Sequence, residues 1–285
     1  MKGLILAAGK GTRLYPMTKP MSKPLLPVYD KPMIYYPLAI LMQAGISDVM
    51  VIVPPNETDT FRALLGNGSQ FGISICYAEQ PVARGIADAL LIGREFVGDD
   101  SVCLVLGDNI FHSDTLREVL CKGAQQQNGA TVFGYWVENP RPFGVVEFDE
   151  DGRAISIEEK PRHPKSNYII PGIYFYDNQA MEIAANLTPS QHGELEITDV
   201  NLEYLHRDQL QVLPLERDVV WLDAGTADSL MDAGQTIRTI QAETGRYVGC
   251  LEELAFNQGW LTEEQVHEAG QELGMTLYGQ YLQCL

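Results

Sequence analysis

The sequence predicts an α/β fold: a Rossmann-like, mostly parallel mixed sheet flanked by helices, with a β-rich extension and a small C-terminal helical appendage. Three observations predict this class. Apolar runs of strand length alternate with helical patterns over the first half of the chain, an order typical of right-handed β-α-β crossovers. Short alternating or aromatic runs follow after residue 140. Helical patterns then dominate from residue 229 to the end.

The individual elements follow from hydrophobic periodicity. The predicted strands cover residues 3–7, 48–54, 73–78, 101–106, 130–138, 143–149, 154–159, 169–176, 211–215 and 218–222. The predicted helices cover residues 32–44, 58–65, 83–96, 114–127, 178–186, 197–207, 252–257 and 263–273. We therefore expect one α/β domain over residues 1–240, with its β-rich extension at about 140–222, and a helical appendage over residues 241–285.

Composition and charge exclude several classes of protein. A formal net charge of −18 argues against a nucleic-acid polymer or an anionic membrane as partner. No apolar run in the sequence reaches membrane-spanning length, and the first apolar stretch is too short for a signal peptide, so we expect a cytoplasmic protein. Five scattered cysteines without a C-x-x-C pair favour reduced thiols over a disulfide framework or a zinc site.

The N-terminal segment 1–31 is positively charged, in contrast to the chain as a whole. Asp30 is the only acid among residues 1–31, which hold six cations: Lys2, Lys10, Arg13, Lys19, Lys23 and Lys31. A local cationic pocket in an acidic protein suits a small, multiply charged anion, and a triphosphate fits that description.

A glycine-containing loop follows the first strand directly. The segment Ala8-Gly9-Lys10-Gly11-Thr12-Arg13 lets backbone N–H groups approach a phosphate closely, because its glycines carry no Cβ. Arg13 can bind the same anion as a bidentate fork, and Lys23 as a point charge. Two better-known phosphate loops are excluded. A Walker A loop needs Lys-Ser/Thr after the last glycine, and the dinucleotide motif needs a glycine where Leu14 stands.

Two aspartates end apolar strands. Asp108 follows Leu104-Val105-Leu106-Gly107, and Asp223 follows Val220-Trp221-Leu222. Ligands of open α/β sheets bind at the carboxyl ends of the strands, and Mg²⁺ is usually held by one or two carboxylates plus phosphate oxygens. Each aspartate alone is equally consistent with a helix cap or a turn. Together with the cationic loop, they favour a metal–triphosphate site.

Two further segments carry candidate ligand contacts. Lys160 lies at a strand end in Glu158-Glu159-Lys160-Pro161, although a surface strand can carry the same residues. In the loop Gln80-Pro81-Val82-Ala83-Arg84-Gly85, the amide of Gln80 can hydrogen-bond a nucleobase edge through its donor and its acceptor. Gly85 can leave space for the ring.

These segments together resemble those of the sugar-1-phosphate nucleotidylyltransferases, and most closely the glucose-1-phosphate thymidylyltransferase branch. The likeness rests on five segments in order: Leu-Ala-Ala-Gly-x-Gly-Thr-Arg-Leu at residues 6–14, Lys23-Pro24, Gly107-Asp108-Asn109, Glu158-Glu159-Lys160-Pro161 and Trp221-Leu222-Asp223-Ala224-Gly225-Thr226. It continues to Tyr278-Gly279-Gln280-Tyr281 near the C-terminus. The reaction it implies converts dTTP and glucose 1-phosphate into dTDP-glucose and pyrophosphate.

The resemblance also implies roles for residues at matching positions. The implied nucleotide-binding residues are Leu6, Ala8, Gly9, Gly11, Thr12, Arg13, Gln80, Gly85 and Asp108. The implied sugar-binding residues are Asn109, Gly144, Glu159, Lys160 and Ile170. Asp108 and Asp223 would bind Mg²⁺. Arg13, Lys23 and Lys160 would be catalytic, because they neutralise two anions that repel each other while the sugar phosphate attacks the α-phosphorus in line.

The resemblance further implies a homotetramer that supplies deoxysugars for bacterial surface polysaccharide. Two alternatives stay open. Thymine and uracil share a hydrogen-bonding edge, so UTP is a rival substrate. A nucleotide-sugar sensor that binds without catalysis is the other alternative, and it could dispense with the metal carboxylates or with Arg13.

Overall fold

The computed structural model describes residues 1–126, 128–191 and 193–285. The strands are β1 Lys2–Leu6, β2 Pro27–Val28, β3 Lys31–Pro32, β4 Asp48–Val53, β5 Ser74–Glu79, β6 Val102–Leu106, β7 Asn109–His112, β8 Ala130–Trp136, β9 Gly144–Phe148, β10 Ala154–Glu159, β11 Tyr168–Ile169, β12 Ile173–Tyr176, β13 Leu210–Pro214 and β14 Val220–Asp223. The helices are α1 Tyr35–Gln43, α2 Thr58–Leu65, α3 Asp88–Ile92, α4 Arg94–Val97, α5 Leu116–Gln125, α6 Gln179–Ala185, α7 Ile197–His206, α8 Ala227–Thr244, α9 Leu251–Asn257, α10 Glu263–Glu272 and α11 Leu277–Leu282.

Ten of these strands form one mixed sheet, as the sequence predicts. Its order is β10-β9-β11-β8-β12-β6-β1-β4-β5, and β13 also pairs with β8. The neighbours β6, β1, β4 and β5 are parallel, because helices or loops cross over between them. β12 enters antiparallel between β6 and β8 and begins the β-rich extension.

Helices cover both faces of the sheet. In β1, Leu4 and Ile5 are both fully buried but belong to different hydrophobic clusters, since successive strand residues point to opposite faces. The Ile5 cluster includes residues of α1, α5 and α9, whereas the Leu4 cluster includes residues of α3, α6 and α7. The sheet therefore lies between two apolar layers, and its polar residues are free to collect at the strand ends.

A small two-stranded sheet was not predicted in full. β14 pairs antiparallel with β7, and Asp223 lies opposite Asn109. The sequence predicts β14 approximately, at 218–222, but residues 109–112 carry no strand prediction because they follow β6 after only two residues. The β2–β3 hairpin was also missed, since prolines occur in both of its short strands.

Two predicted elements are divided in the structure. The predicted helix 83–96 begins only at Asp88 and is interrupted at Gly93. Its first residues form a loop instead, in which Arg84 and Ala87 hydrogen-bond the main chain of Leu195. The predicted strand 169–176 is divided into β11 and β12, since Pro171 has no N–H for the ladder. The predicted end of helix 114–127 at Gln127 lies outside the described residues.

The C-terminal helices are present and pack on the sheet domain. α9 contacts α1, α10 contacts α9, and α11 contacts α10. Helix α8 is continuous from Ala227 to Thr244 and so runs through residue 240, where the sequence places the boundary of the appendage; that division remains a prediction. Within the described part of the chain, no helix combines the length and apolar character needed to cross a membrane.

Candidate active site

The loop after β1 presents unpaired amides. The N–H groups of residues 8–11 donate to no acceptor within the described ranges, although Ala8 is only 6% exposed. The loop is held from behind, because Thr18 Oγ1 donates to the carbonyl of Gly11 at 2.6 Å. Gly11 has φ +58°, and a Cβ there would lie 3.0 Å from side-chain carbons of Lys23 and Thr18. Consecutive free N–H groups of this kind form a concave anion site.

Lys23 joins the two strand-end carboxylates. It lies at the start of a short 3₁₀ turn, Lys23–Leu25, and is only 5% exposed. Its Nζ lies 2.6 Å from Asp108 Oδ2 and 3.7 Å from Asp223 Oδ1. The two aspartates predicted as metal ligands therefore face one point, where the ammonium group of Lys23 balances part of their negative charge.

The negative charge of Asp223 is only partly balanced by the nearby cations Lys23 and Arg13. Burial raises the pKa of the Asp223 carboxyl, and the nearby charge of Asp108 raises it further, while Lys23 and Arg13 oppose the shift. Arg13 is exposed, and its guanidinium would lie 3.1 Å from a Cβ at Gly225. The loop cation and the second aspartate thus lie on the same side of the molecule.

A hydrogen-bonded chain fixes the positions of these carboxylates. Trp221 Nε1 donates to Asn109 Oδ1 at 2.6 Å, and Asn109 Nδ2 donates to Asp108 Oδ1 at 2.9 Å. Trp221 belongs to β14 and Asn109 to β7, so the small sheet holds Asp223 and Asp108 together. The indole of Trp221 also packs edge-on against Phe143, with ring centroids 5.3 Å apart.

A second group of polar residues lies where β9, β10 and α7 meet. Lys160 Nζ lies 3.1 Å from Glu159 Oε1, and Thr198 Oγ1 donates to Glu159 Oε2 at 2.5 Å. Burial disfavours the charged form of Lys160, but the hydrogen bond and the charge of Glu159 outweigh it and raise its pKa. A Cβ at Gly144 would lie 3.0 Å from Thr198 Oγ1, so glycine there lets these groups meet.

The predicted nucleobase residue Gln80 is buried beside a carboxylate. It is 5% exposed, and its Nε2 donates to Asp88 Oδ2 at 2.9 Å. Gly85 has φ +101°, and a Cβ there would lie 2.4 Å from the Leu195 carbonyl oxygen. Glycine is therefore required at this position for backbone packing, a reason that differs from the ring space expected from the sequence.

Two adjacent cavities gather most of the predicted site residues. The larger one is lined by Arg13, Asp108, Asn109, Gly144, Glu159, Lys160, Ile170 and Asp223, among others. The other is lined by Leu6, Gly9, Lys23, Pro24, Ile86, Leu106 and Asp108. They share Ile86, Leu106 and Asp108, so they form one groove along the carboxyl ends of the strands. Ala8, Gly11, Thr12, Gln80 and Gly85 line neither cavity.

Comparisons with known proteins identify the family of the chain. The sequence profile of the Nucleotidyl transferase family matches residues 2–240. Glucose-1-phosphate thymidylyltransferase of Neisseria meningitidis is 54% identical over 99% of this chain and 98% of its own length. The protein of the same name from Xanthomonas campestris is 54% identical over 100% of this chain and 96% of its own length.

The chain belongs to the glucose-1-phosphate thymidylyltransferase family. It is a nucleotidyltransferase. A crystal structure assigned as a member of this family, from Bacillus anthracis and in complex with sucrose, superposes with a TM-score of 0.78 at 43% identity. That superposition covers 84% of this chain and 95% of the other.

Some residues that line the groove lie outside the family motifs. Thr198, Asn201 and Tyr174 line the larger cavity but stand outside the segments on which the resemblance rests. Thr198 and Asn201 are three residues apart on α7 and both buried, so they share a helix face. The sequence signal that could have identified these two residues is their polar character on the apolar face of a predicted helix.

Proposed function

We propose that this protein catalyses the formation of dTDP-glucose and pyrophosphate from dTTP and glucose 1-phosphate. One observation carries the proposal: a single groove is lined by Arg13, the two carboxylates and Lys160. The family's name supplies the substrates. Both substrates are anions and repel each other. A groove that contains cationic groups can offset this repulsion, which is the main electrostatic barrier to the reaction.

The N-terminal loop would bind the triphosphate. Leu6, Ala8, Gly9, Gly11 and Thr12 would offer main-chain contacts, and four consecutive amides without an acceptor within the described residues support this role. Arg13 would stabilise the departing pyrophosphate as a bidentate donor. It would do so from beside Asp223, whose charge it already offsets.

Asp108 and Asp223 suit Mg²⁺. Their oxygens meet at the ammonium group of Lys23, at 2.6 and 3.7 Å, and hard carboxylate oxygens are the ligands that Mg²⁺ prefers. No cluster of three or more potential metal ligands occurs among the described residues, which fits a cation shared with the nucleotide's phosphates. Bound there, Mg²⁺ would supply charge neutralisation. Lys23 would add its own charge from the buried side of Asp108.

Lys160 and Glu159 would act on the sugar phosphate. The pKa of Lys160 is raised above its ordinary value of 10.5 because the hydrogen bond and the charge of Glu159 outweigh burial, so Lys160 can bind the phosphate as a cation. Glu159, Asn109, Gly144 and Ile170 would contact the glucose. The attacking phosphate oxygen is already ionised near pH 7, since its second pKa is about 6. The mechanism therefore needs no general base, only orientation and charge neutralisation.

Asp108→Asn tests the proposed function. The change removes a negative charge from the metal site while it keeps the side-chain shape, so we expect pyrophosphate release to fall by at least about a hundredfold. Asp99→Asn is the matched control, because Asp99 is exposed and precedes the opposite end of β6. Thermal unfolding should show that both variants fold.

The same assay separates the alternatives. A preference for UTP over dTTP in the wild-type protein would replace the proposed substrate. Binding of dTTP without Mg²⁺-dependent pyrophosphate release would favour the sensor. Wild-type rates in Asp108→Asn would remove Asp108 from the metal site.

The biological setting is part of the proposal. We propose a homotetramer in the cytoplasm, where its nucleotide substrate is made, that feeds deoxysugar synthesis for surface polysaccharide. The net charge of −18 disfavours binding to a nucleic-acid polymer or an anionic membrane, so the proposed ligands are small molecules.

A further inference from the structure

Asp88 is a fully buried carboxylate for which the proposed mechanism has no use. It lies at the start of α3 with 0% exposure. Each of its oxygens has one partner: Oδ2 accepts from Gln80 Nε2 at 2.9 Å, and Oδ1 accepts from Arg84 at 2.8 Å. A buried carboxylate is costly unless it is paired, so the position needs a reason beyond helix formation.

The pairing with Asp88 decides which way the Gln80 amide points. An ionised carboxylate can only accept hydrogen bonds, whereas an amide offers a nitrogen donor and an oxygen acceptor. Only the nitrogen of Gln80 can face Asp88 favourably. The Gly85 carbonyl also lies 3.5 Å from Gln80 Nε2, so the nitrogen donors are engaged within the protein. Gln80 Oε1 has no hydrogen-bond partner among the described residues, so it faces away from Asp88 and remains available as an acceptor.

Arg84 is the second partner of Asp88. Its guanidinium forms an ion pair with Asp88 while the Arg84 side chain itself is 59% exposed. The Arg84 main chain is fixed as well, because its carbonyl accepts from Leu195 N at 2.6 Å. The residues Arg84, Asp88 and Gln80 form a continuous series, which we call the amide clamp.

We propose that Asp88 is a positioning residue that fixes the Gln80 amide with its oxygen outward, so that the site selects a base with an imide N–H. This inference rests on the proposed function, and it takes Gln80 as the nucleobase contact that the family resemblance implies. Thymine and uracil carry a donor at N3, whereas cytosine carries an acceptor there. An amide locked with Oε1 outward therefore accepts from thymine and repels cytosine. An unlocked amide can rotate and serve either base.

Asp88→Asn tests the clamp at constant shape. Asparagine can face Gln80 with its oxygen or its nitrogen, so the orientation of Gln80 is no longer fixed. We expect the KM for dTTP to rise about tenfold, the effect of one lost hydrogen bond, with kcat within about twofold. The ratio of kcat/KM for dCTP to that for dTTP should rise about tenfold or more. Asp59→Asn is the matched control, since Asp59 also lies in a first helical turn beside an arginine but is 97% exposed.

The Gln80→Ala background separates positioning from a structural role. If Asp88 acts through Gln80, Asp88→Asn changes kcat/KM for dTTP in that background by less than about twofold. An equal loss in both backgrounds overturns the proposal. An unchanged dCTP-to-dTTP ratio in folded Asp88→Asn also overturns it.

Arg84→Met keeps the proposal testable if Asp88→Asn does not fold. The Arg84 side chain is largely exposed, and its main-chain bond to Leu195 does not depend on it. Loss of the guanidinium removes one of the two partners that hold the Asp88 carboxylate in place, so Gln80 is less firmly oriented and the dCTP-to-dTTP ratio should rise severalfold. A wild-type ratio in that folded variant refutes the clamp. Wild-type protein that fails to use dTTP refutes the proposed function instead, before any variant is compared.

Discussion

Asn201 is a buried donor in the groove. It is 1% exposed, its Oδ1 accepts from Tyr176 OH at 2.6 Å, and its Nδ2 has no partner among the described residues. Buried polar atoms are nearly always satisfied. Because Asn201 lines the cavity with Glu159 and Lys160, we predict that its Nδ2 donates to a hydroxyl of the sugar phosphate.

Asn201→Leu should therefore raise the KM for glucose 1-phosphate about fivefold, within the range of one neutral hydrogen bond. The KM for dTTP should stay unchanged. Tyr176→Phe is the control, because it removes the bond to Asn201 Oδ1 and keeps the Asn201 Nδ2 donor. Steady-state kinetics on both variants would refute the role if the two changed the KM for glucose 1-phosphate equally.

At the residue scale, the sequence predicted charged residues at strand ends better than polar residues on helices. Asp108 and Asp223 each follow an apolar run, which made them candidates in the sequence, whereas the antiparallel pairing of β14 with β7 brings them together in the structure. Thr198 and Asn201 face the groove only because α7 packs against β10. Their position depends on tertiary packing, which local sequence does not encode.

At the scale of elements, a buried carboxylate links two C-terminal helices, and a buried lysine of the β2–β3 hairpin contacts the same tyrosine. Glu252 on α9 is 7% exposed and accepts from Tyr278 OH of α11 at 2.5 Å. Lys31 of the β2–β3 hairpin lies 5.8 Å from the Tyr278 ring centre and 5.5 Å from that of Tyr247. Burial raises the pKa of the Glu252 carboxyl above its ordinary value of 4.5.

This shift gives a stability prediction with a definite sign. A carboxyl whose folded pKa exceeds its unfolded pKa stabilises the protein below pH 4.5, and that stabilisation is lost as pH rises through the folded pKa. Glu252→Gln keeps an acceptor for Tyr278 and removes the titration. Urea unfolding from pH 4.5 upward should thus show the variant gaining stability over wild type as pH rises. Glu263→Gln, an exposed control on α10, should run parallel to wild type, and parallel curves for Glu252→Gln would contradict the prediction.

Among the elements, long periodic segments were predicted and short ones were not. The parallel strands β1, β4 and β6 match their predicted runs closely because each is a continuous apolar segment. β7 has four residues and follows β6 after only Gly107 and Asp108, and its existence depends on the distant β14. The loop before α3 has a helical sequence pattern, but its hydrogen bonds to the main chain of Leu195 keep it non-helical. Tertiary contacts therefore outweigh the local pattern here.

At the scale of the whole molecule, large apolar side chains remain exposed. Trp136, Met231, Leu277 and Met275 are 58%, 76%, 74% and 90% exposed. An interface between subunits would cover apolar side chains of this kind, since contiguous exposed apolar patches mark contact regions. We predict that light scattering coupled to size exclusion gives the mass of four subunits at micromolar concentration. A monomer mass with full activity would contradict the tetramer.

The link between Leu195 and the loop before α3 has an evolutionary consequence. Leu195 donates its N–H to the Arg84 carbonyl and accepts from the Ala87 N–H. Every amino acid except proline has both groups. These two hydrogen bonds therefore do not depend on which side chain stands at residue 84. Directed evolution that randomises residue 84 but omits proline should yield many folded members with altered base choice, since the Arg84 side chain is 59% exposed.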